Sequence, residues 1–374
     1  MGKKNNSFTT IPIPFETYFD PEVLDLEIDS FFSKNSKYLG HKLMIPKVGD
    51  YSVLEHEGSS RFLINNSSGF QIISNICKHR QATMLEGTGN IKSIICPLHN
   101  WAYDLTGNII GTPKFKKLIS SKLESKNLSE WNGLLFENDI SDLKRNLQQN
   151  PYKNEFSFNG YKLNKVDSHV CEYNWKTFIE VYLDDYHVDP YHNGLSSFVD
   201  CSDLNWHFFD HFSVQTVGIS KKEKKTTPIY KRWKNAVKNS FENLYPNWGA
   251  IWMLIYPNVM LEWYPNTIVI SSLYPISTQK TLNITEFYYP EKISLFNKEF
   301  INSQQAAYNQ TVLEDDKIAI KIENGRRELI KSNKREFGPF HPELEAGIPH
   351  FYNYLKNKAN KKLKEEFYET NYIS

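Results

Sequence analysis

Two short clips of metal-binding side chains constrain this chain more than any other feature. Cys77-Lys78-His79 is followed, sixteen residues later, by Cys96-Pro97-Leu98-His99. The bland reading is two buried thiols beside two incidental histidines. A structural zinc site uses the same residue types, but it groups Cys with Cys and His with His in separate clips. Here each clip carries one of each, so two loops have to hold one centre together. The surrounding text consists of short apolar runs (RFLIN, FQIISNIC, IKSIICPL, NIIGT) separated by Asn, Gly, Ser and Asp. That is the pattern of a compact all-β unit with tight turns, placed here at residues 41–150.

The interleaving of Cys and His suits a Rieske [2Fe–2S] centre, in which one iron takes both thiolates and the other both imidazoles. Each loop must then touch both irons. The stretches NICKHRQA and CPLHNWAYDLTGNIIG resemble Rieske iron–sulfur domains, with Cys77, His79, Cys96 and His99 at the ligand positions. In respiratory members of that family each loop carries a further Cys, and the two form a disulfide. This chain has Ala82 and Leu98 at those positions, so it resembles the oxygenase branch, whose potentials lie at the low end of the Rieske range.

A second constellation lies about ninety residues downstream. The spacing of Trp175, Phe178, Ile179, Tyr182 and Leu183 predicts a helix starting near Asn174. Glu180, Asp184 and His187 fall at i, i+4 and i+7 and are expected on one face. His192 would point ~140° away on an unbroken helix. Pro190 is expected to bend or stop that helix and let His192 return towards His187. Two imidazoles need one carboxylate to complete a facial triad for Fe(II). The segment TVLEDDKIAIKIENGRREL offers Asp315 or Asp316.

This arrangement resembles the catalytic α subunits of Rieske non-haem iron oxygenases, which carry an acidic-x3-Asp-x2-His-x4-His motif and a later Asp within a Glu-Asp helix. The interval to Gly325 aligns Asp315 with the ligand and leaves Asp316 open. Glu323 and Asn324 stand where many relatives have Gln and Arg. The resemblance runs from GHKLMIPKVGDY to the Gly-Arg-Arg stretch. It implies a Rieske cluster and a mononuclear Fe(II) at His187, His192 and Asp315. It further implies use of O2, as a mono- or dioxygenase, to hydroxylate, dihydroxylate or demethylate a small organic substrate, and a homotrimer in which Asp184 bonds a histidine on either side of a subunit boundary. No GxGxxG follows a strand, and the chain lacks the thiols for a second, four-Cys cluster, so NAD(P)H would act only through a separate reductase or ferredoxin. The alternatives are a Rieske electron carrier with a non-catalytic ligand-binding second domain, and a binding protein for an apolar ligand.

The fold class expected is α+β: an N-terminal arm at 1–40, the all-β Rieske domain, and a catalytic domain at 151–374. In the last, HFSVQTVGIS, GAIWMLIYP, VMLEWYP, TIVISSLYP and ITEFYYP read as antiparallel strands and the tail from Ile301 to Leu363 as mostly helical. The resemblance implies a helix-grip (START-like) fold there. Trp252, Trp263 and Tyr264 read equally as core, as walls for an aromatic ring, or as a cage for a quaternary ammonium. Glu262 reads as a partner for a cation or as an exposed strand residue. His207 and His211 would share one strand face, with hydrogen-bonded surface histidines the plainer reading. Cys171 and Cys201 read as small buried hydrophobes. The Lys-rich segment KKEKKTTPIYKRWKNAVK could dock an acidic redox partner or be a solvated face.

Composition narrows the remaining classes. With 44 basic and 43 acidic residues, the net charge of +1 gives no reason to expect nucleic acid or a membrane surface as partner. No run approaches the roughly eighteen apolar residues of a spanning helix. Asn6 argues against myristoylation at Gly2, which prefers Ser or Thr there. Four cysteines are too few for a disulfide framework, and a cytoplasmic location is expected.

Overall fold

The computed structural model describes residues 12–33, 36–221, 224–241, 246–334 and 336–369. Two compact units emerge: Lys34–Arg145, and the chain up to Ser33 together with the chain from Asn146 onward.

The smaller unit is built of antiparallel strands in three sheets. The five-stranded sheet runs Thr88–Asn90, Asp50–Val53, Arg61–Asn66, Gly69–Ser74, Ser125–Asn127 in spatial order. Its central hairpin explains the unbroken apolar runs in the sequence. Phe62, Ile64 and Ile73 point into one core cluster, whereas Leu63 and Ile72 point into another, so this hairpin is buried on both faces. A three-stranded sheet, Ile94–Ile95, Ala102–Tyr103 and Ile109–Gly111, carries the second Cys-His clip between its first two strands.

The larger unit centres on a seven-stranded antiparallel sheet: β1 Tyr161–Cys171, β2 Val199–Phe208, β3 Phe212–Ile219, β4 Ala250–Ile255, β5 Val259–Tyr264, β6 Thr267–Ser277 and β7 Lys280–Pro290. The spatial order is β1-β7-β6-β5-β4-β3-β2. The five strands read from apolar runs are present. β1 carried no such signal, because it is an edge strand whose sequence YKLNKVDSHVC is mostly exposed or half-buried. Nor do His207 and His211 share a strand face: β2 ends at Phe208, His207 Nε2 lies 3.3 Å from Tyr152 Oη, and His211 sits in the turn that follows.

Helices pack on this sheet. Those used below are α1 Pro21–Glu27, α2 Trp175–Tyr182, α3 Val188–Tyr191, α4 Pro228–Ser240, α5 Lys298–Lys331 and α6 Gly347–Lys358. The 34-residue α5 passes straight through Gly325, whose missing side chain would meet nothing within 4 Å. A glycine there costs about 1 kcal/mol of helix propensity, too little to break a helix held by its neighbours. The N-terminal stretch belongs to this unit: Tyr18, Val23, Leu24 and Phe31 share a core cluster with Trp175 and Phe351. Glu27 of α1 is fully buried, paired with the fully buried Lys176 ammonium and accepting from Trp175 Nε1 at 2.8 Å. Among the described residues no helix is long and apolar enough to cross a membrane.

The sequence places Glu180 beside the histidines, and the structure does not. α2 ends at Tyr182, before Asp184, and Glu180 turns into the core. There it pairs with the Arg326 guanidinium from α5 and accepts from the Tyr18 and Tyr352 hydroxyls. Removing one partner of such a buried pair leaves an uncompensated charge. Arg326→Met is expected to lower unfolding free energy by about 3–5 kcal/mol in urea titrations. The double variant Glu180→Gln/Arg326→Met should recover part of that loss.

Candidate active site

The two clips differ in spacing, Cys-x-His against Cys-x2-His, but they form loops of equal length. The Cys77 N–H donates to Ala82 O at 2.9 Å and the Cys96 N–H to Trp101 O at 2.9 Å. The Gln81 N–H returns to Cys77 O at 3.1 Å, and the Asn100 N–H to Cys96 O at 3.0 Å. Gln81 and Asn100 both take φ of 57°, the left-handed conformation that lets each loop close. The loops face each other: the rings of His79 and His99 stand 4.6 Å apart, and Trp101 stacks flat on His79 at 4.7 Å.

These residues fit a [2Fe–2S] cluster. Nδ1 of His79 is buried without a hydrogen-bond partner, a state that would be costly unless a ligand takes the lone pair. Cys77 and Cys96 are buried free thiols within hydrogen-bonding reach of each other. Burial raises the Cys77 thiol. The Tyr103 hydroxyl, 3.3 Å from Sγ, and the N–H groups of His79 and Arg80 more than offset this and hold it below the ordinary range. Soft thiolates with imidazoles are the donor set such a cluster requires.

The second site is assembled from two distant segments. After α2 ends, Oδ1 of Asp184 accepts from the N–H groups of Tyr186 at 2.8 Å and His187 at 3.2 Å, which nucleates α3. Pro190 lies within the first turn of α3, where it needs no N–H donor. The break expected at Pro190 therefore comes earlier, at Leu183–Asp184. His187 and His192 flank the single turn of α3, and their Nε2 atoms lie 3.0 Å apart. From α5, Oδ1 of Asp315 comes within 2.9 Å of His192 Nε2 and 3.4 Å of His187 Nε2. Asp316, next along α5, points elsewhere, with its oxygens 2.7 Å from His169 Nε2 and 2.7 Å from Tyr173 Oη.

Three ligand atoms within 4.8 Å of one another, on two imidazoles and one carboxylate, fit a divalent iron with open positions. The far nitrogen of His192 is also oriented: Nδ1 lies 2.7 Å from Glu314 Oε2. His187 Nδ1 lies 3.2 Å from Asp184 Oδ2 as a charge contact without hydrogen-bond geometry. Sequence reading had not given Glu314 a role. The signal was present in the run Glu-Asp-Asp, three acids opening onto two helix faces. Burial disfavours the His187 imidazolium, but Asp184 and Asp315 outweigh it and hold the group at about 10. Burial likewise acts against Asp315 ionisation, and the two imidazoles outweigh it and depress its carboxyl.

His187, His192 and Asp315 line a cavity of about 100 Å³. Trp252 on β4 and Glu262 on β5 are cross-strand partners and face it together with Tyr264, two residues on. Trp263 falls on the other face of β5 and lines no part of the cavity. Glu262 is 4% exposed, so the reading as an exposed strand residue is corrected. Burial lifts its carboxyl to about 7, against the hydrogen bonds it accepts from Tyr264 Oη at 2.6 Å and Tyr308 Oη at 3.0 Å. The Lys-rich segment contributes as well: its end folds as α4, which buries Tyr230 and Trp233 in the cavity wall.

Residues 33–125 match the Rieske [2Fe-2S] domain, and residues 158–360 match the catalytic domain of the ring hydroxylating alpha subunit. Putrescine 2-hydroxylase of Ralstonia nicotianae is 45% identical over 361 residues, spanning 95% of this chain and 99% of that protein. The chain is a Rieske oxygenase α subunit. The putrescine 2-hydroxylase of Bordetella bronchiseptica is 39% identical across 92% of this chain and 84% of its own length. Among solved structures, a quaternary ammonium Rieske monooxygenase bound to L-carnitine superposes with a TM-score of 0.72 at 17% identity, covering 93% of this chain and 95% of its own. In this Rieske oxygenase the cofactors are a [2Fe–2S] cluster and a mononuclear iron.

Asp315→Asn is expected to lose the mononuclear iron by metal analysis while keeping the visible and EPR signatures of the cluster; Asp316→Asn should keep both. A pH dependence follows from His187. Its pKa in the metal-free fold is raised from 6.5 to about 10. The paired imidazolium therefore stabilises the metal-free protein fully below the lower value, and that contribution disappears as pH rises through the upper one. Iron requires the neutral ring, so Fe(II) affinity should climb with pH across the same window, by up to about tenfold per unit for each proton displaced. Equilibrium dialysis at several pH values tests this, and a flat profile would contradict it.

Proposed function

We propose that this oxygenase hydroxylates an aliphatic C–H bond of a small protonated amine, with putrescine as the first candidate substrate. The observation that carries this reading is the buried Glu262 carboxylate, set among aromatic walls in the same cavity as His187, His192 and Asp315. A cavity for a neutral arene gains nothing from a buried carboxylate and bears its desolvation cost. An ammonium ion satisfies it. The relatives named putrescine 2-hydroxylase support the same substrate class.

When bound, the cluster supplies single electrons and the mononuclear iron supplies the site for O2 reduction and C–H oxidation. The chain's own residues do the rest. Glu314 holds His192 through Nδ1, Asp184 holds the turn that carries His187 through its N–H, and Tyr182, Trp233 and Trp252 limit water around the substrate. Electrons come from a separate reductase or ferredoxin, since the chain has no nicotinamide-binding motif. We further propose a homotrimer in which Asp184 links the iron site to the partner subunit's cluster domain, and a cytoplasmic location, which four free thiols support.

Holoenzyme supplied with reductant, a surrogate reductase, putrescine and isotopically labelled O2 is expected to give a product carrying one labelled oxygen atom. Two labelled atoms would mean dioxygenation. No amine product, with the cluster and iron both present, would remove the amine reading.

A further inference from the structure

The catalytic cavity holds more carboxyl groups than the iron site uses. Asp184 and Asp315 face the histidines, but Glu262 and Asp185 also line the cavity and neither has a cationic partner among the described residues. Asp185 is 3% exposed, and its Oδ2 is buried with no hydrogen-bond partner. Its position is fixed by the main chain, where its N–H donates to Leu344 O at 2.9 Å. Glu262 is held differently. The Trp252 indole N–H donates to Tyr264 Oη at 3.0 Å, Tyr264 donates to one carboxylate oxygen, and Tyr308 donates to the other. Each oxygen of Glu262 then has one accepting direction left. The Tyr182 hydroxyl is also buried and unpartnered, and it feels the charges of both carboxylates.

Buried carboxylates are normally paired, and a buried polar atom without a partner carries a penalty of about 1–3 kcal/mol. Burial pushes both carboxyls up, Asp185 to about 8 and Glu262 to about 7, and an ammonium ion with N–H donors bound beside each supplies the charge partner and, at Asp185 Oδ2, the hydrogen bond that the protein does not. A quaternary ammonium brings charge but no donor, and leaves Asp185 Oδ2 unbonded. A monoamine can serve one carboxylate only. The apolar surface of Val181, Val188, Leu195 and Trp252 suits a methylene chain joining two charged ends.

We infer that Glu262 and Asp185 are paired anchors that select an α,ω-diamine, each taking one terminal primary ammonium. This rests on the reading of the substrate as a protonated amine. With both ends held, the methylene chain is presented to the iron site in a fixed register, which accounts for attack at an unactivated carbon rather than at nitrogen.

The test is anaerobic calorimetric titration of the iron-loaded holoenzyme, without reductant, with putrescine, n-butylamine and n-butyltrimethylammonium. Wild type should bind putrescine at least about tenfold more tightly than either of the others. Glu262→Gln and Asp185→Asn should each weaken putrescine by about ten- to a hundredfold, the range for a hydrogen bond to a charged group. Butylamine should be weakened by only one of the two substitutions, because it occupies one anchor. Iron content and cluster spectrum are measured on every variant; if Asp185→Asn loses iron, the putrescine-to-butylamine ratio in Glu262→Gln decides. If wild type binds no amine, the proposed substrate class fails and this inference with it. If wild type prefers putrescine while the variants bind it unchanged, the amine reading stands and the paired-anchor inference is overturned.

Discussion

The contact between α2 and α5 decides whether this protein has an iron site at all, because the two histidines follow one helix and Asp315 sits on the other. Glu323 of α5 is 2% exposed and accepts from the Asn174 N–H at 2.6 Å and the Thr177 hydroxyl at 2.9 Å. It thus places a carboxylate on the N-terminus of α2, where unpaired N–H groups and the helix dipole favour negative charge. One turn further along both helices, Arg326 pairs with Glu180. Two polar contacts fix the register of α5 against α2, and eight residues earlier on α5 that register delivers Asp315 to His187 and His192. The substitution that looked like a departure from the family at position 323 is therefore part of the docking. A glutamate performs the capping through its carboxylate, and Arg326 and Arg327 supply positive charge nearby.

Three sets of charged residues in the larger unit differ in what neutralises them. Glu27 with Lys176, and Glu180 with Arg326, are closed within the protein and tie the N-terminal segment and α5 to α2. Asp184, Glu314 and Asp315 surround two imidazoles whose protons a metal ion would displace. Glu262 accepts only from tyrosine hydroxyls and Asp185 Oδ2 accepts no hydrogen bond, which is the arrangement the proposed cationic substrate would complete. Burial of a charge without a partner is unfavourable, so its position in a cavity rather than in packed core carries the functional meaning.

Both metal-binding constellations were legible as spacings, since ligands carried on one loop or one turn must lie close in sequence. The equal closure of the two Cys-His loops was not, because it depends on left-handed conformations at Gln81 and Asn100 that their residue types permit without demanding. The helix through Asp184 and His187 was read as continuous because the apolar period continued to Leu183. The local bond from the Asp184 side chain to following N–H groups outcompeted that period and ended the helix at Tyr182, well before Pro190.

By itself the sequence determined the donor sets: two Cys-His clips, a His pair with a late aspartate as candidate ligands, an all-β unit, and five apolar runs that form an antiparallel sheet. These follow from donor type and from periods of two and 3.6 residues, which are local properties of a chain. Tertiary structure alone decided which of two adjacent aspartates faces the histidines, which of the aromatic residues face the cavity, and that Glu262 and Asp185 are buried there. Those outcomes depend on the rotation of α5 and the pairing of β4 with β5, relations between segments that no local pattern encodes.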